Sequence, residues 1–343
     1  MLLREQVALA PYTTFGIGGP ARWFVEAADE DSLVEAIRFA RERSAPLFVL
    51  GGGSNLLVSD RGFPGVVVRI ALTGIEQRAN IFSVAAGENW DAFVSHAIEN
   101  GFGGLECLAG IPGTVGGTPV QNVGAYGQEV SSTIVSVRVL DRDHLTFSSL
   151  AASACGFAYR RSIFNSTHRD RFIVTRVDFQ LHPKAVPVLE YPDLQRWFQR
   201  RADTPSLAEA ATVVREIRHR KGMLLVEGDP DCHSAGSFFR NPVVSQSRFS
   251  EVAAKAPAPP PCFPAPAGQV KIPAAWLVEN SGFHKGLALG AAGISSRHAL
   301  ALINRGGATA AEVLALRDRI VAAVDKKFGI LLEQEPILVG SPH

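Results

Sequence analysis

Cysteine is scarce in this chain: four in 343 residues, Cys107, Cys155, Cys232 and Cys262, with no C-x-x-C pair among them. That spacing excludes a disulfide framework and a zinc ribbon and leaves four free thiols. Excess charge is missing too. The 34 Lys and Arg against 33 Asp and Glu leave a formal charge of +1. A near-neutral chain has no global field for nucleic acid or an anionic membrane, so any anion must be held by local groups. No apolar run approaches the roughly 18 residues of a membrane-spanning helix. Met1–Pro11 carries Arg4 and Glu5 without a continuous apolar segment, so no secretory signal is expected and the cytoplasm is the expected compartment. None of the nine His is spaced as metal ligands are on a helix, and no catalytic metal is expected. A length of 343 residues suggests two or three domains at about 150 residues each. The apolar share of 46% places the chain among folded globular proteins rather than disordered ones.

The pattern along the chain is α+β. A helix is expected over Asp31–Arg43, with Leu33, Ile37 and Ala40 on one face and Asp29 or Asp31 as its N-cap. A second follows Asn89 as cap, buries Trp90, Phe93 and Ala97, and stops at Gly101. Strands are expected at Leu47–Leu50, Val66–Ile70, Ile81–Ala85, Ile134–Leu140 and Phe172–Leu181. Several follow one another without helices, so this is no regular βαβ repeat. Ser206 and Glu209 form a capping box opening a helix over Leu207–His219. Thr309 and Glu312 open the last helix, with Val313, Leu316, Ile320 and Val324 as its stripe and Gly329 as its end. Ala256–Gly268, with six prolines, reads as an extended surface loop. Ile330–Leu332 and Pro336–Val339 read as a terminal strand interrupted by Glu333-Gln334-Glu335.

What the chain does have is glycine in clusters. Val49-Leu50 runs into Gly51, Gly52 and Gly53 and then Ser54 and Asn55. Glycines allow positive φ and close backbone approach, so several N–H groups can converge on a phosphate. By itself the segment reads equally well as a tight turn after a buried strand. It is neither a Walker loop nor a G-x-G-x-x-G opening a helix. A second cluster, with six glycines in Gly110–Gly127, includes Gly113, Thr114, Gly116 and Gly117 and then Asn122, Gly124, Ala125 and Tyr126. Glycine at that density destabilises regular elements by ~0.5–1 kcal/mol per residue relative to alanine, which calls for a packing or binding reason. Two such loops suggest a ligand with a pyrophosphate. A third glycine segment, Tyr12–Pro20, reads as a turn into a first strand.

These segments carry a resemblance. Thr14-Phe15-x-Ile17-Gly18-Gly19, Leu50-Gly51-Gly52-Gly53-Ser54-Asn55, Gly110-Ile111-Pro112-Gly113-Thr114-Val115-Gly116-Gly117 and Asn122-Val123-Gly124-Ala125-Tyr126-Gly127 are similar to motifs of the UDP-N-acetylenolpyruvoylglucosamine reductases. Tyr159-Arg160-x-Ser162-x-Phe164, Gly236-Ser237-Phe238-Phe239-x-Asn241-Pro242 and Leu332-Glu333-x-Glu335 follow in the same order. The resemblance implies a two-lobed FAD-binding domain of the vanillyl-alcohol-oxidase type over residues 1–205, its lobes splitting near residues 70–80. A C-terminal α+β substrate-binding domain would cover 206–343, with the terminal strand returning Glu335 to the active site. It implies noncovalent FAD, NADPH as reductant, and reduction of the enolpyruvyl ether of UDP-N-acetylglucosamine for peptidoglycan synthesis. A monomer acting on a small molecule, with no nucleic-acid or membrane partner, is expected.

The same resemblance assigns roles. Arg160 would hold the substrate carboxylate, since a planar guanidinium can grip it at two points. Ser237 would be the general acid, and Glu335, rather than Glu333, the catalytic carboxylate. Gly51, Gly52, Gly53, Ser54, Asn55, Gly113, Thr114, Gly116, Gly117, Asn122, Gly124, Ala125 and Tyr126 would line the FAD. Tyr191 would close over the UDP-sugar, as in the longer form of the family, and Asn241, Lys221 and Lys285 would contact it, with Lys271 a further cation. The chain departs from the pattern in the long segment Gly222–His233 and in Phe263, where some members of the longer form have Tyr. A flavin oxidase of the same superfamily acting on another small hydroxy compound is the alternative enzyme reading. A nucleotide-sugar-binding module without redox activity is the non-enzyme reading, which the joint presence of Arg160, Ser237 and Glu335 disfavours.

Overall fold

The computed structural model describes residues 1–256 and 258–340. Pro257, inside the expected proline-rich loop, and residues 341–343, at the end of the expected substrate domain, lie outside the described residues. The chain forms two compact units: Met1–Val7, Ala21–Gly53 and Pro64–His219 make the first, and Ala8–Pro20, Ser54–Phe63 and the described residues from Arg220 onward the second.

The first unit holds two sheets. One runs in the order Leu3–Ala8, Pro20–Ala27, Phe63–Ile70, Leu47–Leu50. Its last two strands are parallel, Leu47 to Leu50 facing Val66 to Arg69. The intervening helix spans Glu30–Glu42 and buries Leu33, Ala36, Ile37 and Ala40, the one-sided spacing of a helix on a sheet. Asp29 is its cap and accepts the Ser32 N–H at 2.7 Å, so the helix begins one residue before the expected start. The other sheet is antiparallel throughout, in the order Thr146–Ala151, Ile134–Asp141, Phe172–Gln180, Ile81–Ala85, Ile75–Arg78. Helix Trp90–Glu99, capped by Asn89, packs on it through Phe93 and Phe179, whose ring centroids lie 5.1 Å apart. The indole N–H of buried Trp90 donates to Leu108 O at 3.0 Å and so anchors the start of the second glycine loop.

The helix Leu207–Arg220 opens with the expected Ser206–Glu209 box. All but its last residue belongs to the first unit, which differs from a division at 205/206. Long-range polar contacts hold it there. Arg215 reaches Asp91 at 2.7 Å, and the buried Arg218 donates from Nε to Gly110 O at 3.0 Å.

The second unit is built around helix Ala310–Phe328, which buries Val313, Leu316, Ile320, Val324 and Phe328. Its Thr309–Glu312 capping box is formed, and Gly329 ends it at φ 65°. Two three-stranded antiparallel sheets accompany the helix: Ala288–Leu289, Ala292–Ile294 and Leu302–Asn304; and Val243–Val244, Val270–Lys271 and Phe263–Pro264. The expected proline-rich loop therefore contains an edge strand at Phe263–Pro264, where proline is tolerated for want of a ladder donor. The terminal strand also differs. Ile337–Val339 pairs in parallel with Leu56–Val58, but Ile330–Leu332 alternates buried and exposed with no ladder partner among the described residues. The Tyr12–Pro20 segment was expected to enter the FAD domain. It belongs instead to the second unit, because Phe15 and Ile17 are buried in that unit's core. Asn304 Nδ2 donates to Phe15 O at 3.0 Å.

Three of the four cysteines are buried and Cys262 is exposed. Burial pushes the Cys107 thiol up to about 12 and the Cys155 thiol up to about 11. Because the thiolate is the reactive form, a disulfide reagent such as DTNB should titrate one thiol rapidly in the native protein and four in denaturant. A second fast thiol in native protein would contradict this packing.

Candidate active site

The two glycine loops of the first unit meet backbone to backbone. A Cβ on Gly52 would lie 2.5 Å from Gly113 Cα, and one on Gly51 would lie 3.0 Å from Thr114 Oγ1. Gly53 and Gly113 both take positive φ, 64° and 131°. Gly116 N–H is spent on Ala86 O and Val115 N–H on Glu88 O. Among the described residues, the N–H groups of Gly52, Gly53 and Thr114 donate to no protein acceptor. Converging unspent N–H groups on a glycine backbone form an anion cradle, which fits a pyrophosphate. Gly52→Val should therefore release most of the FAD, read as the flavin-to-protein ratio after gel filtration. The cause is a backbone clash with Gly113 rather than intrusion on the ligand itself. Full occupancy in that variant would remove the loop from the cofactor site.

Downstream, Gly124-Ala125 pairs with Gln128-Glu129 around a two-residue turn, Tyr126-Gly127, with φ of 50° and 89°. Two positive φ values in succession make the tight reversal that a twisted hairpin needs, and a tyrosine there is strained. This hairpin, which itself carries Gly124, Ala125 and Tyr126, gathers two further expected site residues, Arg160 and Tyr191. Gly124 O accepts from Arg160 Nη2 at 2.9 Å, and Tyr126 meets Tyr191 edge to face with centroids 5.2 Å apart. Arg160 itself is strained, at φ 54°, in the reversal where Ala158 and Arg161 exchange backbone bonds. Non-glycine residues held in the left-handed region cluster at functional sites. The neighbouring Arg161 is exposed. The Asn122 side chain is spent on protein: Nδ2 donates to Glu129 Oε2 and Ala158 O, and Oδ1 accepts Ser131 N–H. It shapes the loop, and its N–H is spent as well, on Pro119 O.

In the second unit, Ser237 and Glu335 come to neighbouring backbone positions. Glu335 N–H donates to Phe238 O at 2.9 Å, and Phe239 bridges Gln334. On the other side Ile337 N–H donates to Asn55 O, and Asn55 Nδ2 approaches Glu335 O at 3.4 Å. Asn55 thus fixes the segment that carries Glu335 into the strand Ile337–Val339. It falls, with Ser54, in this unit, while Gly51–Gly53 fall in the first. Glu333 is exposed and Glu335 half-buried. Ser237 is half-buried, and its hydroxyl has no protein partner among the described residues. Asn241 Oδ1 accepts Ala274 N–H at 2.8 Å, which leaves its Nδ2 for a ligand. Lys285 is exposed, Lys221 half-buried, and Lys271 pairs in register with both Val243 and Phe263.

Sequence reasoning missed the group that roots the Tyr191 segment. Glu106 is 1% exposed, and its carboxylate accepts from Gly104 N–H at 2.7 Å, Gln128 Nε2 at 2.7 Å and Val188 N–H at 3.1 Å. Three donors satisfy a buried carboxylate and tie the chain three residues before Tyr191 to the unit's core. A lone acidic residue in a Leu-rich stretch was the only signal.

Residues 21–145 match the family model of an FAD binding domain, and residues 229–339 match that of the UDP-N-acetylenolpyruvoylglucosamine reductase C-terminal domain. The reductase of that name from Thermobifida fusca is 45% identical over 98% of each chain, and that of Streptomyces avermitilis 43% identical over 97% of this chain and 93% of its own. The crystal structure of the UDP-N-acetylenolpyruvylglucosamine reductase of Thermus caldophilus superposes with a TM-score of 0.69 at 29% identity, covering 98% of this chain and all of that one. With the glycine cradle, the strained arginine and the neighbouring Ser237 and Glu335 backbones on one chain, these likenesses run from end to end: the chain belongs to the UDP-N-acetylenolpyruvoylglucosamine reductase family.

Proposed function

We propose that this chain reduces the enolpyruvyl ether of UDP-N-acetylglucosamine to UDP-N-acetylmuramate, a step in peptidoglycan precursor synthesis. FAD would be held noncovalently by the cradle of Gly51, Gly52, Gly53, Gly113 and Thr114, and when bound it would supply a hydride taken from NADPH. Gly116 and Gly117 shape the loop by spending their N–H groups on Ala86 O and Thr114 O. The alkene is conjugated to a carboxylate, so C3 accepts hydride and negative charge grows at C2 and on the carboxylate. Arg160 grips that carboxylate and stabilises the growing charge. The Ser237 hydroxyl gives its proton to C2, and Glu335 supports the proton transfer. Tyr191 covers the nucleotide sugar, and Asn241, Lys221, Lys285 and Lys271 hold its polar groups. The reading includes action in the cytoplasm as a monomer. Among the described residues no helix is long and apolar enough to cross a membrane.

The observation that carries this reading is the half-buried Ser237 hydroxyl with no protein partner, beside the backbone of Glu335. A serine is a weak acid, and a hydroxyl kept open in a partly dry setting can be given to a substrate rather than to the fold. Anaerobic half-reactions test the function. NADPH should bleach the flavin absorbance, and the enolpyruvyl substrate should restore it without oxygen. Restoration by oxygen alone would favour the oxidase reading, and a protein that binds UDP-sugar but never bleaches would favour the binding module.

A further inference from the structure

Glu106 and Cys107 tie together two segments of the first unit that lie far apart in the chain. Every group the buried Glu106 carboxylate meets is a donor. Gly104 N–H reaches Oε2 at 2.7 Å, and Gln128 Nε2 and Val188 N–H reach Oε1 at 2.7 and 3.1 Å. Cys107 completes the same two ties. Its N–H donates to Gln128 Oε1 at 2.8 Å, and its Sγ donates to Val188 O at 3.1 Å. Gln128 is thus held at both ends of its amide and Val188 at both of its backbone groups. Because Gln128 Oε1 accepts Cys107 N–H, the end of that amide facing Glu106 is its NH2. Three donors on one side chain need an acceptor only, which a carboxylate is and an amide is not.

The two ties lead to two expected site residues. Gln128 pairs with Ala125 in the hairpin that turns at Tyr126. Val188 lies three residues before Tyr191, whose ring meets that of Tyr126 edge to face. Beyond Tyr191 the chain is fixed again: Leu194 is fully buried, and Gln195 N–H donates to Tyr191 O at 3.0 Å. Tyr191 therefore stands midway between two anchors, with its own side chain 39% exposed. Upstream of Val188, the next backbone bond among the described residues is that of Lys184 N–H to Gly101 O at 2.9 Å. Without the Val188 tie, the untied run would reach back to Lys184, and each released residue adds backbone freedom that binding must then remove.

We propose that Glu106 is a positioning residue for substrate capture: it holds Gln128 and Val188 on one carboxylate and so keeps Tyr191 set against Tyr126 before the ligand arrives. This rests on the reading that Tyr191 covers the nucleotide sugar. A segment that is in place in only a fraction of the molecules lowers apparent affinity by that fraction. Once substrate has gathered the segment, the reacting groups are unchanged. Glu106 therefore governs how tightly substrate is held and leaves the limiting rate alone.

The test uses FAD-saturated protein, reduced beforehand with dithionite and mixed anaerobically with rising concentrations of the enolpyruvyl substrate. Glu106→Gln sets an NH2 donor against a donor. It should raise the half-saturating concentration about 10-fold and leave the limiting rate of flavin reoxidation within about 2-fold of wild type. Tyr191→Ala should raise that concentration at least as much. In the Tyr191→Ala background, Glu106→Gln should then add less than about 2-fold, because the residue it acts through is gone. A wild-type half-saturating concentration in Glu106→Gln, a loss confined to the limiting rate, or the full further loss in the Tyr191→Ala background overturns the proposal. A second measurement needs no variant. In wild-type protein loaded with FAD, amide exchange resolved by residue should be slow at Val188 and fast at Glu190, whose N–H no protein group accepts among the described residues. Equally fast exchange at both also overturns it. Wild-type affinity in Tyr191→Ala would instead sink the reading of Tyr191 beneath it.

Discussion

Ser237→Ala should leave bleaching of the flavin absorbance by NADPH near its wild-type rate and slow the substrate half-reaction by about 10²–10⁴-fold, the usual contribution of a general acid. The asymmetry follows from the chemistry, since oxidation of NADPH needs no proton at C2 of the sugar ether. It also follows from the structure: the Ser237 hydroxyl bonds to no protein group among the described residues, so its loss should cost the fold little. Stopped-flow absorbance under argon reads both steps. Equal losses in both would mean that Ser237 acts through folding or cofactor retention, and the general-acid role would fall. Glu335→Gln sharpens the test, because the Glu335 N–H bonds to O of Phe238, the residue next to Ser237. If Ser237 and Glu335 serve one proton transfer, the double variant should be little slower than the slower single one. Strictly multiplicative losses would make their roles independent.

Local signals in the sequence predicted local structure well. The caps at Asn89, Ser206 and Thr309 all accept or exchange the bonds their residue types promise, because a cap needs only a side-chain oxygen and the next turn's N–H. Leu47–Leu50 and Ile81–Ala85 occupy the expected positions because short β-branched and apolar runs between turns leave little choice. Long-range features were hidden. Nothing in Tyr12–Pro20 says that Phe15 will pack with Phe238, more than two hundred residues away, instead of starting the first unit's sheet. The same holds for Leu56–Val58, whose partner Ile337–Val339 closes from the far end of the chain. At the site, the motif residues were legible as chemistry while their supports were not. Glu106 stands in the sequence as an isolated polar residue. Its place comes from a carboxylate taking three donors, contacts that no spacing encodes. Asn122 is the converse: a glycine-loop asparagine that reads as a ligand contact spends its amide on Glu129 of the hairpin and on Ala158 O beside the Arg160 reversal.

Arg160→Lys should fail in the substrate half-reaction although it keeps the positive charge. Arg160 is held at φ 54° with Nη2 on Gly124 O, so part of its fork is committed to the hairpin and the rest has a fixed direction. A lysine ammonium is a point charge on a flexible stem and cannot reproduce a planar two-point grip on a carboxylate whose charge grows during the reaction. Loss of such a preorganised donor costs about 10²–10³-fold in rate. The neighbouring Arg161→Lys is the internal control, because Arg161 is exposed and sits in the same reversal. The expected pattern is normal FAD content and normal bleaching by NADPH in both variants, with reoxidation by substrate slowed only in Arg160→Lys. The loss should appear in the limiting rate at saturating substrate, because the grip tightens as the carboxylate gains charge. A variant slowed only through weaker substrate binding, with its limiting rate intact, would make Arg160 an anchor for the ground state and remove it from charge stabilisation. Equal slowing in Arg161→Lys would assign the effect to the strained reversal itself.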